Sequence, residues 1–205
     1  MLDSRGFDLW ADDYDVSVGV SADDGTYPFA GYREVLNRIY NAVLDRGQKK
    51  VLDVGFGTGT LTAKLYQAGC EIWGQDFSER MMAIAGEKMP GARLYQGDFA
   101  QGLAAELKAQ RYDAIIATYS LHHLDDGQKV RFIDELKGLL KEDGALYIGD
   151  VAFGTAAEMD ACRQQAGDEW DDEEFYFVYD ALKEALGDSE FTPCSHCAGV
   201  IEVRK

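Results

Sequence analysis

Five short apolar runs recur between residues 51 and 150, and their alternation with helical segments is the feature that most restricts the fold. The runs are VLDV at 51–54, EIWGQD at 71–76, ARLYQ at 92–96, YDAIIAT at 112–118 and ALYIGD at 145–150. Strands and helices that alternate at this spacing are joined by right-handed crossovers and form one mainly parallel sheet. The sequence therefore predicts a doubly wound α/β fold with helices on both faces of the sheet.

Helical periodicity accounts for most of the remaining chain. The predicted helices cover 31–46, 60–68, 78–89, 103–109, 126–140, 156–166 and 173–186. Two further strand-like pieces, 191–195 and 199–203, are separated by only a few residues. Because so short a connection cannot contain a crossover helix, these pieces are expected to pair antiparallel.

Length and composition fit one globular domain. The chain has 205 residues, of which 46% are hydrophobic and 28% charged, which excludes a wholly disordered chain. It has no apolar run long enough to span a bilayer, and its acidic, polar start does not resemble a secretory signal. Four cysteines are too few for a disulfide scaffold, so a reducing, cytoplasmic location is expected.

The net charge of −17 is unevenly distributed along the chain. Residues 1–30 hold seven acids and one base, and residues 150–190 hold thirteen acids and two bases. Such a surface repels polyanions, which argues against a nucleic-acid or acidic-membrane partner. The predicted organisation is a single domain, 1–205, with N-terminal cap helices at 1–48, a ligand-binding core at 49–150, an acidic helical cap at 151–190 and a C-terminal hairpin at 191–205.

A glycine-rich turn joins the first predicted strand to the helix that follows it. In VLDVGFGTGT, at 51–60, Gly55, Gly57 and Gly59 permit a sharp bend and a close approach of backbone to a ligand. The dinucleotide pattern GxGxxG would place its third glycine at Thr60, whereas here it comes one residue earlier. A tight turn without any ligand is the structural alternative.

Acidic residues follow the second and third strands. Asp76 lies where a carboxylate can accept hydrogen bonds from both hydroxyls of a ribose, and Asp98 lies where one can accept from an adenine amine. Phe77 could cover the adenine or pack beneath the next helix, and Phe99 could pack nearby. For Asp98 the alternative role is that of an ordinary turn residue.

These motifs, followed by YDAIIATYSLHHL and LLKEDGALYIGD, together resemble the class I S-adenosylmethionine-dependent methyltransferases. They occur in the family's order over residues 51–150, and FDLWADDYD before them resembles the entry segment of small bacterial members. The chain is also similar to uncharacterised bacterial methyltransferases associated with sulfur amino acid recycling. The resemblance implies a Rossmann-like, seven-stranded sheet with an antiparallel strand near one edge. It also implies S-adenosylmethionine as the cofactor.

The family pattern assigns roles to individual positions. The glycines would border the methionine part of the cofactor, Asp53 would organise the loop or the methionine amine, and the end of the fourth strand would lie beside the sulfonium. The implied cofactor-binding set is Tyr14, Asp53, Gly55, Gly57, Gly59, Asp76, Phe77, Asp98, Phe99, Thr118 and Ser120. Asp53 could instead only cap the N–H groups of the loop.

Methyl transfer from a sulfonium depends mainly on holding donor and acceptor in line, and it needs no metal. A base is required only if the acceptor carries a proton. The candidate catalytic residues are His122, His123 and Tyr119, with Asp150 as a further candidate base. Each histidine could alternatively be structural.

The acidic flanks contain aromatic residues at positions that cover the acceptor pocket in this family. These are Tyr14, Tyr27, Tyr32, Trp170, Tyr176 and Tyr179. The expected partner is a small acceptor that is neutral or cationic, bound by a monomer or homodimer. A merely solvated acidic surface is the alternative.

Cys194 and Cys197 form a CxxC pair around His196, but the sequence contains no second such pair. Because Cys70 and Cys162 belong to other elements, packed, reduced thiols are expected and no metal site is predicted.

Three rival functions remain open from the residues alone. A nicotinamide-dependent oxidoreductase is disfavoured by Thr60, where the third glycine would stand. A cofactor-binding regulatory or non-catalytic subunit would share the fold without turning over an acceptor. Transfer of an aminopropyl group has only the acidity in its favour.

Overall fold

The computed structural model describes residues 25–205. The helices are α1 (Tyr32–Asp45), α2 (Thr60–Gln67), α3 (Glu79–Lys88), α4 (Ala105–Lys108), α5 (Asp126–Gly138), α6 (Ala156–Ala166) and α7 (Tyr179–Leu186). The strands are β1 (Lys50–Val54), β2 (Glu71–Asp76), β3 (Arg93–Gln96), β4 (Tyr112–Thr118), β5 (Leu140–Phe153), β6 (Phe177–Val178), β7 (Ser189–Pro193) and β8 (Ala198–Arg204). Short 3₁₀ turns cover Phe99–Gln101, Leu121–His123 and Gly167–Glu169.

The strands form one sheet in the order β3-β2-β1-β4-β5-β8-β7, with the two-residue β6 paired to the end of β5. Strands β1 to β5 pair in parallel, whereas β8 runs antiparallel to both β5 and β7. This confirms the doubly wound, mainly parallel sheet and its antiparallel C-terminal hairpin. The strand order reverses between β1 and β4, which is where open α/β sheets bind their ligands.

Successive residues of the central strands point to opposite faces, and each face has its own apolar core. Val51 packs with α1, α2 and α3, while its neighbour Leu52 packs with α5 and α7 on the other side. Helix α1 packs tightly on the sheet at Gly149, where a Cβ atom would lie 2.3 Å from Cγ1 of Val35. This contact brings the start of α1 to the carboxyl ends of the strands.

Side-chain caps fix where several helices begin. Ser78 accepts a hydrogen bond from the N–H of Met81 at the start of α3. Asp125 and Thr155 form capping boxes with residues three positions on, at the starts of α5 and α6.

The helix predicted over 173–186 is wrong in its first half, because α7 begins only at Tyr179. Backbone groups of the preceding residues are used elsewhere: the N–H of Phe175 donates to the carbonyl of His122, and Nζ of Lys129 donates to the carbonyls of Phe175 and Tyr176. Strand β5 also begins at Leu140, five residues earlier than predicted, so α5 ends at Gly138.

Within the described range, no helix combines the length and apolar character that a membrane crossing requires.

Candidate active site

A cavity of about 380 Å³ opens at the carboxyl ends of β1 and β4. Its walls come from the glycine loop, the segment that leads into α1, the turn after β4 and the segment before β6. The lining residues are Pro28, Phe29, Tyr32, Leu36, Asp53, Gly55, Phe56, Gly57, Thr58, Thr60, Leu61, Thr118, Tyr119, His122, His123, Val151 and Glu174. A larger cavity, of about 520 Å³, lies between α1 and the β7–β8 hairpin, away from the strand ends.

The three glycines of the loop have positive φ angles but face different surroundings. A Cβ at Gly55 would lie 2.6 Å from Cβ of Ser120. A Cβ at Gly59 would lie 2.9 Å from Cε of Met89, the residue that follows the last turn of α3. A Cβ at Gly57 would meet no atom within 4 Å. Gly57 therefore borders open space in the cavity, whereas Gly59 serves helix packing.

Asp53, the last acid before the loop, is 1% exposed and lines the cavity. Thr62 donates a hydrogen bond to Oδ2, while Oδ1 is buried without a partner among the described residues. Burial raises the pKa of Asp53 to about 7, against the lowering effect of the Thr62 hydrogen bond. A cationic group of a ligand in the cavity could donate the hydrogen bond that Oδ1 of Asp53 lacks.

The carboxylate of Asp76 organises the junction between the loop and the end of β2. Its Oδ2 accepts from the N–H of Gly57 at 2.8 Å, and its Oδ1 accepts from the N–H of Ser78 at 2.9 Å. The neighbouring Phe77 is 68% exposed, so it does not pack beneath α3. The structural alternative for Phe77 is therefore wrong, and its ring is available to a ligand.

The third strand ends in Asp98 and Phe99, which have different surroundings. Asp98 is exposed and caps a short turn by accepting from the N–H of Ala100 at 2.8 Å. Phe99 is buried, and its ring stacks on Phe132 with 5.6 Å between centroids. Its edge also approaches the position of a Cβ on Gly55, to 3.4 Å.

The last residue of β4, Thr118, and the two that follow it lie in distinct environments. Thr118 lines the cavity, while Ser120 donates to the carbonyl of Val54 at 2.9 Å and braces the loop. Tyr119 has a φ of 49°, and its buried hydroxyl has no hydrogen-bond partner within residues 25–205. Burial, and then the charge of Asp150, raise the pKa of Tyr119 well above its ordinary value. Tyr119 is therefore suited to donating a hydrogen bond rather than to acting as a base.

His122 lies between two carboxylates. Its Nδ1 is 2.6 Å from Oδ1 of Asp150, and its Nε2 is 3.5 Å from Oε1 of Glu174. Burial lowers the pKa of His122, but Asp150 and then Glu174 raise it, so the net pKa lies above the ordinary value. A buried histidine oriented by a carboxylate can exchange a proton with a ligand in the cavity.

His123, the next residue in the chain, is exposed, and the centroid of its ring lies 4.3 Å from that of His122. Of the two, only His122 is paired with a buried carboxylate in the described structure. The two histidines, which the sequence could not distinguish, thus differ in burial and in their carboxylate partners.

Two features of the cavity had no clear signal in the sequence. Phe29 belongs to a loop, and Glu174 belongs to a run of four acids in which nothing marks it out. Of the aromatic residues expected around the acceptor, Tyr32 does line the cavity. Tyr27, Trp170 and Tyr176 instead pack on one another, Tyr179 packs on Phe191, and Tyr14 lies outside the described residues.

The CxxC pair does not form a joint thiol site. Sγ of Cys194 lies 3.9 Å from the carbonyl oxygen of Thr192, whereas Cys197 faces Cys162 from α6. Burial raises the pKa of Cys194 and that of Cys197, the latter to about 11, so neither is an activated thiolate. The expectation that Cys162 lies apart from this turn is wrong, because α6 brings it there.

Comparison with known proteins identifies the family. A family described as a methyltransferase domain matches residues 51–144. An uncharacterized methyltransferase of Geobacillus sp. (strain WCH70) is 32% identical over 91% of this chain and 88% of its own length. The chain belongs to the class I S-adenosylmethionine-dependent methyltransferases. A second methyltransferase, from Alkaliphilus oremlandii, is 33% identical over 72% of this chain and 66% of its own length, so that match spans just under two thirds of the relative.

Solved methyltransferase structures share the fold. The magnesium protoporphyrin IX methyltransferase of Synechocystis PCC 6803 with bound S-adenosylhomocysteine has a TM-score of 0.68 to this chain at 21% identity, covering 98% of this chain and 95% of that one. The family's cofactor, S-adenosylmethionine, fits two observations in this methyltransferase. The unpartnered Oδ1 of Asp53 suits an ammonium group, and the space beside Gly57 leaves room for a ligand. The oxidoreductase interpretation is not favoured.

Proposed function

We propose that this methyltransferase transfers the methyl group of S-adenosylmethionine to a nitrogen or oxygen of a small acceptor that is neutral or cationic. In this proposal His122 accepts the proton that the acceptor loses. The observation that carries it is the pairing of His122 with Asp150 at a wall of the same cavity that Asp53 and Gly57 line.

The cofactor would lie along the strand ends. Asp53 would accept from the ammonium of its methionine part, Gly57 would allow close approach, and Asp76 would accept from the ribose hydroxyls with its remaining lone pairs. Phe77 would cover the adenine, since its ring is exposed next to Asp76. Asp98 would lie at the same end of the site.

S-adenosylmethionine, when bound, supplies a methyl group whose bond to the positively charged sulfur breaks as the acceptor's lone pair forms the new bond. In the neutral ring of His122, Nδ1–H donates to Asp150, which leaves the lone pair of Nε2 to take up the acceptor's proton. The carboxylate of Asp150 then stabilises the imidazolium and holds the ring in place. Tyr119 can donate a hydrogen bond from its unpartnered hydroxyl.

Charge and ring packing support the proposed acceptor class. Glu174 lines the cavity, with its Oε1 3.5 Å from Nε2 of His122, and no lysine or arginine is among the described lining residues. The rings of Phe29, Tyr32 and Tyr119 form a cluster on one wall, with 5.1 Å between the centroids of Tyr32 and Tyr119. Carboxylates and aromatic faces attract cations, and they offer nothing to an anion.

Two experiments test the proposal in sequence. Calorimetry should show binding of S-adenosylhomocysteine and none of NAD or NADP. A panel of small amines, alcohols, carboxylates and phosphate esters, each incubated with S-adenosylmethionine, should then yield S-adenosylhomocysteine with amines or alcohols only. Binding without turnover of any compound would favour the non-catalytic subunit, and turnover restricted to carboxylates or phosphate esters would contradict the acceptor class.

The acceptor found by that panel permits a test of the base. The kcat/KM should rise with pH through the raised pKa of His122. His122→Asn should lower kcat by about 10²- to 10⁴-fold and abolish this dependence. His123→Asn, at the exposed neighbour, should retain both. Equal losses in the two variants would contradict a specific role for His122.

A further inference from the structure

Two cysteines and a histidine from distant parts of the sequence meet between α6 and the turn before β8. Cys162 comes from α6, whereas His196 and Cys197 come from the turn, and the ligand atoms of all three lie within 4.8 Å of one another. Both cysteines are buried, and His196 is exposed. We propose that these three side chains bind one Zn²⁺ ion, with its fourth position open to water on the exposed side.

The donor set matches the chemistry of zinc. Thiolates and imidazole are the ligands that Zn²⁺ prefers, at about 2.3 Å for sulfur and about 2.0–2.1 Å for nitrogen. Two sulfurs in a tetrahedral site lie about 3.8 Å apart, so the cluster needs to contract by only about 1 Å around the ion. Both thiols release their protons to solvent on binding, and the two negative charges balance that of the ion.

The turn that carries two of the ligands is already fixed by hydrogen bonds. Oγ of Ser195 accepts from the N–H of Cys197 at 3.2 Å and from that of Ala198 at 3.0 Å. The same hydroxyl donates to the carbonyl of Ala30 at 2.6 Å. The direction of Cys197 is therefore set before any ion binds, which lowers the entropic cost of forming the site.

Helix α6 supplies an independent observation. Of its eleven residues, Cys162 alone is buried. A surface helix ordinarily buries an apolar stripe of several residues, so α6 has an unusually small apolar anchor. A metal bond from this one buried side chain would fasten α6 to the turn before β8. The proposed ligands are not those of the CxxC motif: Cys162 is one of them and Cys194 is not.

The full chain, stripped of metal with a chelator, provides the test. Titration with Co²⁺ should produce the absorption of a tetrahedral, thiolate-bound ion, and Zn²⁺ should displace it at one equivalent per chain. Added Zn²⁺ should also raise the thermal midpoint by several degrees. Cys162→Ser and Cys197→Ser should abolish the cobalt absorption, and His196→Asn, at an exposed position, should weaken zinc binding without unfolding the protein.

Matched cysteine variants complete the design. Cys70→Ser changes a buried cysteine elsewhere, and Cys194→Ser changes the other half of CxxC, so both should retain binding. Loss of binding in Cys194→Ser, or absence of thiolate-to-cobalt absorption in the unmodified chain, would overturn the proposal. So would a Cys162–Cys197 disulfide in unreduced protein, or a metal that remains bound in Cys162→Ser. Circular dichroism distinguishes a lost ligand from a lost fold.

Discussion

Nδ1 of His122 lies 2.6 Å from Oδ1 of Asp150, and the two side chains join the turn after β4 to the carboxyl-terminal part of β5. Oδ1 of Asp150 also accepts from the N–H of Val151 at 2.8 Å, while its second oxygen is buried without a partner in the described part of the chain. Replacing Asp150 should therefore change the pKa of His122, which can be measured.

The first prediction concerns the titration of His122. Proton NMR of the imidazole should show a pKa above the ordinary value of about 6.5, because Asp150 and Glu174 outweigh burial. In Asp150→Asn, burial should dominate and the pKa should fall below that value. The stabilisation from the charged pair should be complete below the unfolded-state pKa and lost as pH rises through the folded-state one. His122→Asn assigns the resonance, and an unchanged titration in Asp150→Asn would contradict the pairing.

The second prediction concerns Phe77 and Phe175, two exposed phenylalanines in the described part of the chain. Phe77→Ala should weaken binding of S-adenosylhomocysteine about tenfold, because an aromatic ring that stacks on a base contributes about 1–3 kcal/mol. Phe175 is 50% exposed, but it does not line the cavity and it lies away from the end of β2, so Phe175→Ala is the matched control and should leave affinity unchanged. Calorimetry measures both. Equal affinities for the two variants would remove Phe77 from the cofactor site.

The third prediction separates two glycines that share a left-handed backbone, with φ of 54° at Gly57 and 74° at Gly59. Alanine at either position should cost about 1 kcal/mol of unfolding free energy through backbone strain. Only Gly57→Ala should also weaken binding of S-adenosylhomocysteine, since its new methyl group would enter the cavity. Gly59→Ala should press on Met89 instead. Urea denaturation and calorimetry test both variants, and a larger affinity loss in Gly59→Ala would contradict the assignment.

The fourth prediction concerns Lys129, whose side chain is fully buried. Lys129→Ala should lower the free energy of unfolding by about 2–4 kcal/mol, because the carbonyls of Phe175 and Tyr176 lose their donor. Lys137, on the same helix, donates to the carbonyl of Leu186 but is partly exposed. Lys137→Ala should therefore cost about 1 kcal/mol or less, as measured by urea denaturation. Similar losses in the two variants would argue against the special role of Lys129.

The sequence predicts the central sheet well because the apolar runs and glycine positions are local signals. The turn at 55–59 and the carboxylate at the end of β2 both follow from spacing along the chain. It predicts the acceptor side poorly, because that side depends on contacts between distant residues. Lys129, on α5, donates to the carbonyls of residues 175 and 176, which lie outside α7, and no pattern within 173–186 reveals this.

The same limit applies to single residues. His122 and His123 are adjacent and chemically identical in the sequence, and only the position of Asp150 on a neighbouring strand distinguishes them. Cys162 resembles an isolated core cysteine until α6 is placed against the turn before β8.

The hydrogen bonds from Lys129 have a consequence for how this protein can change its chemistry. They attach the backbone beside Glu174 to α5, whereas the donor half of the site is built from loops that follow β1 and β2. If the acceptor binds beside Glu174, as proposed above, substitutions near Glu174 should change which acceptor is methylated without weakening the binding of S-adenosylmethionine. Variants designed for a new acceptor should therefore be changed at residues 174–176, and Lys129, which binds this backbone, should be kept.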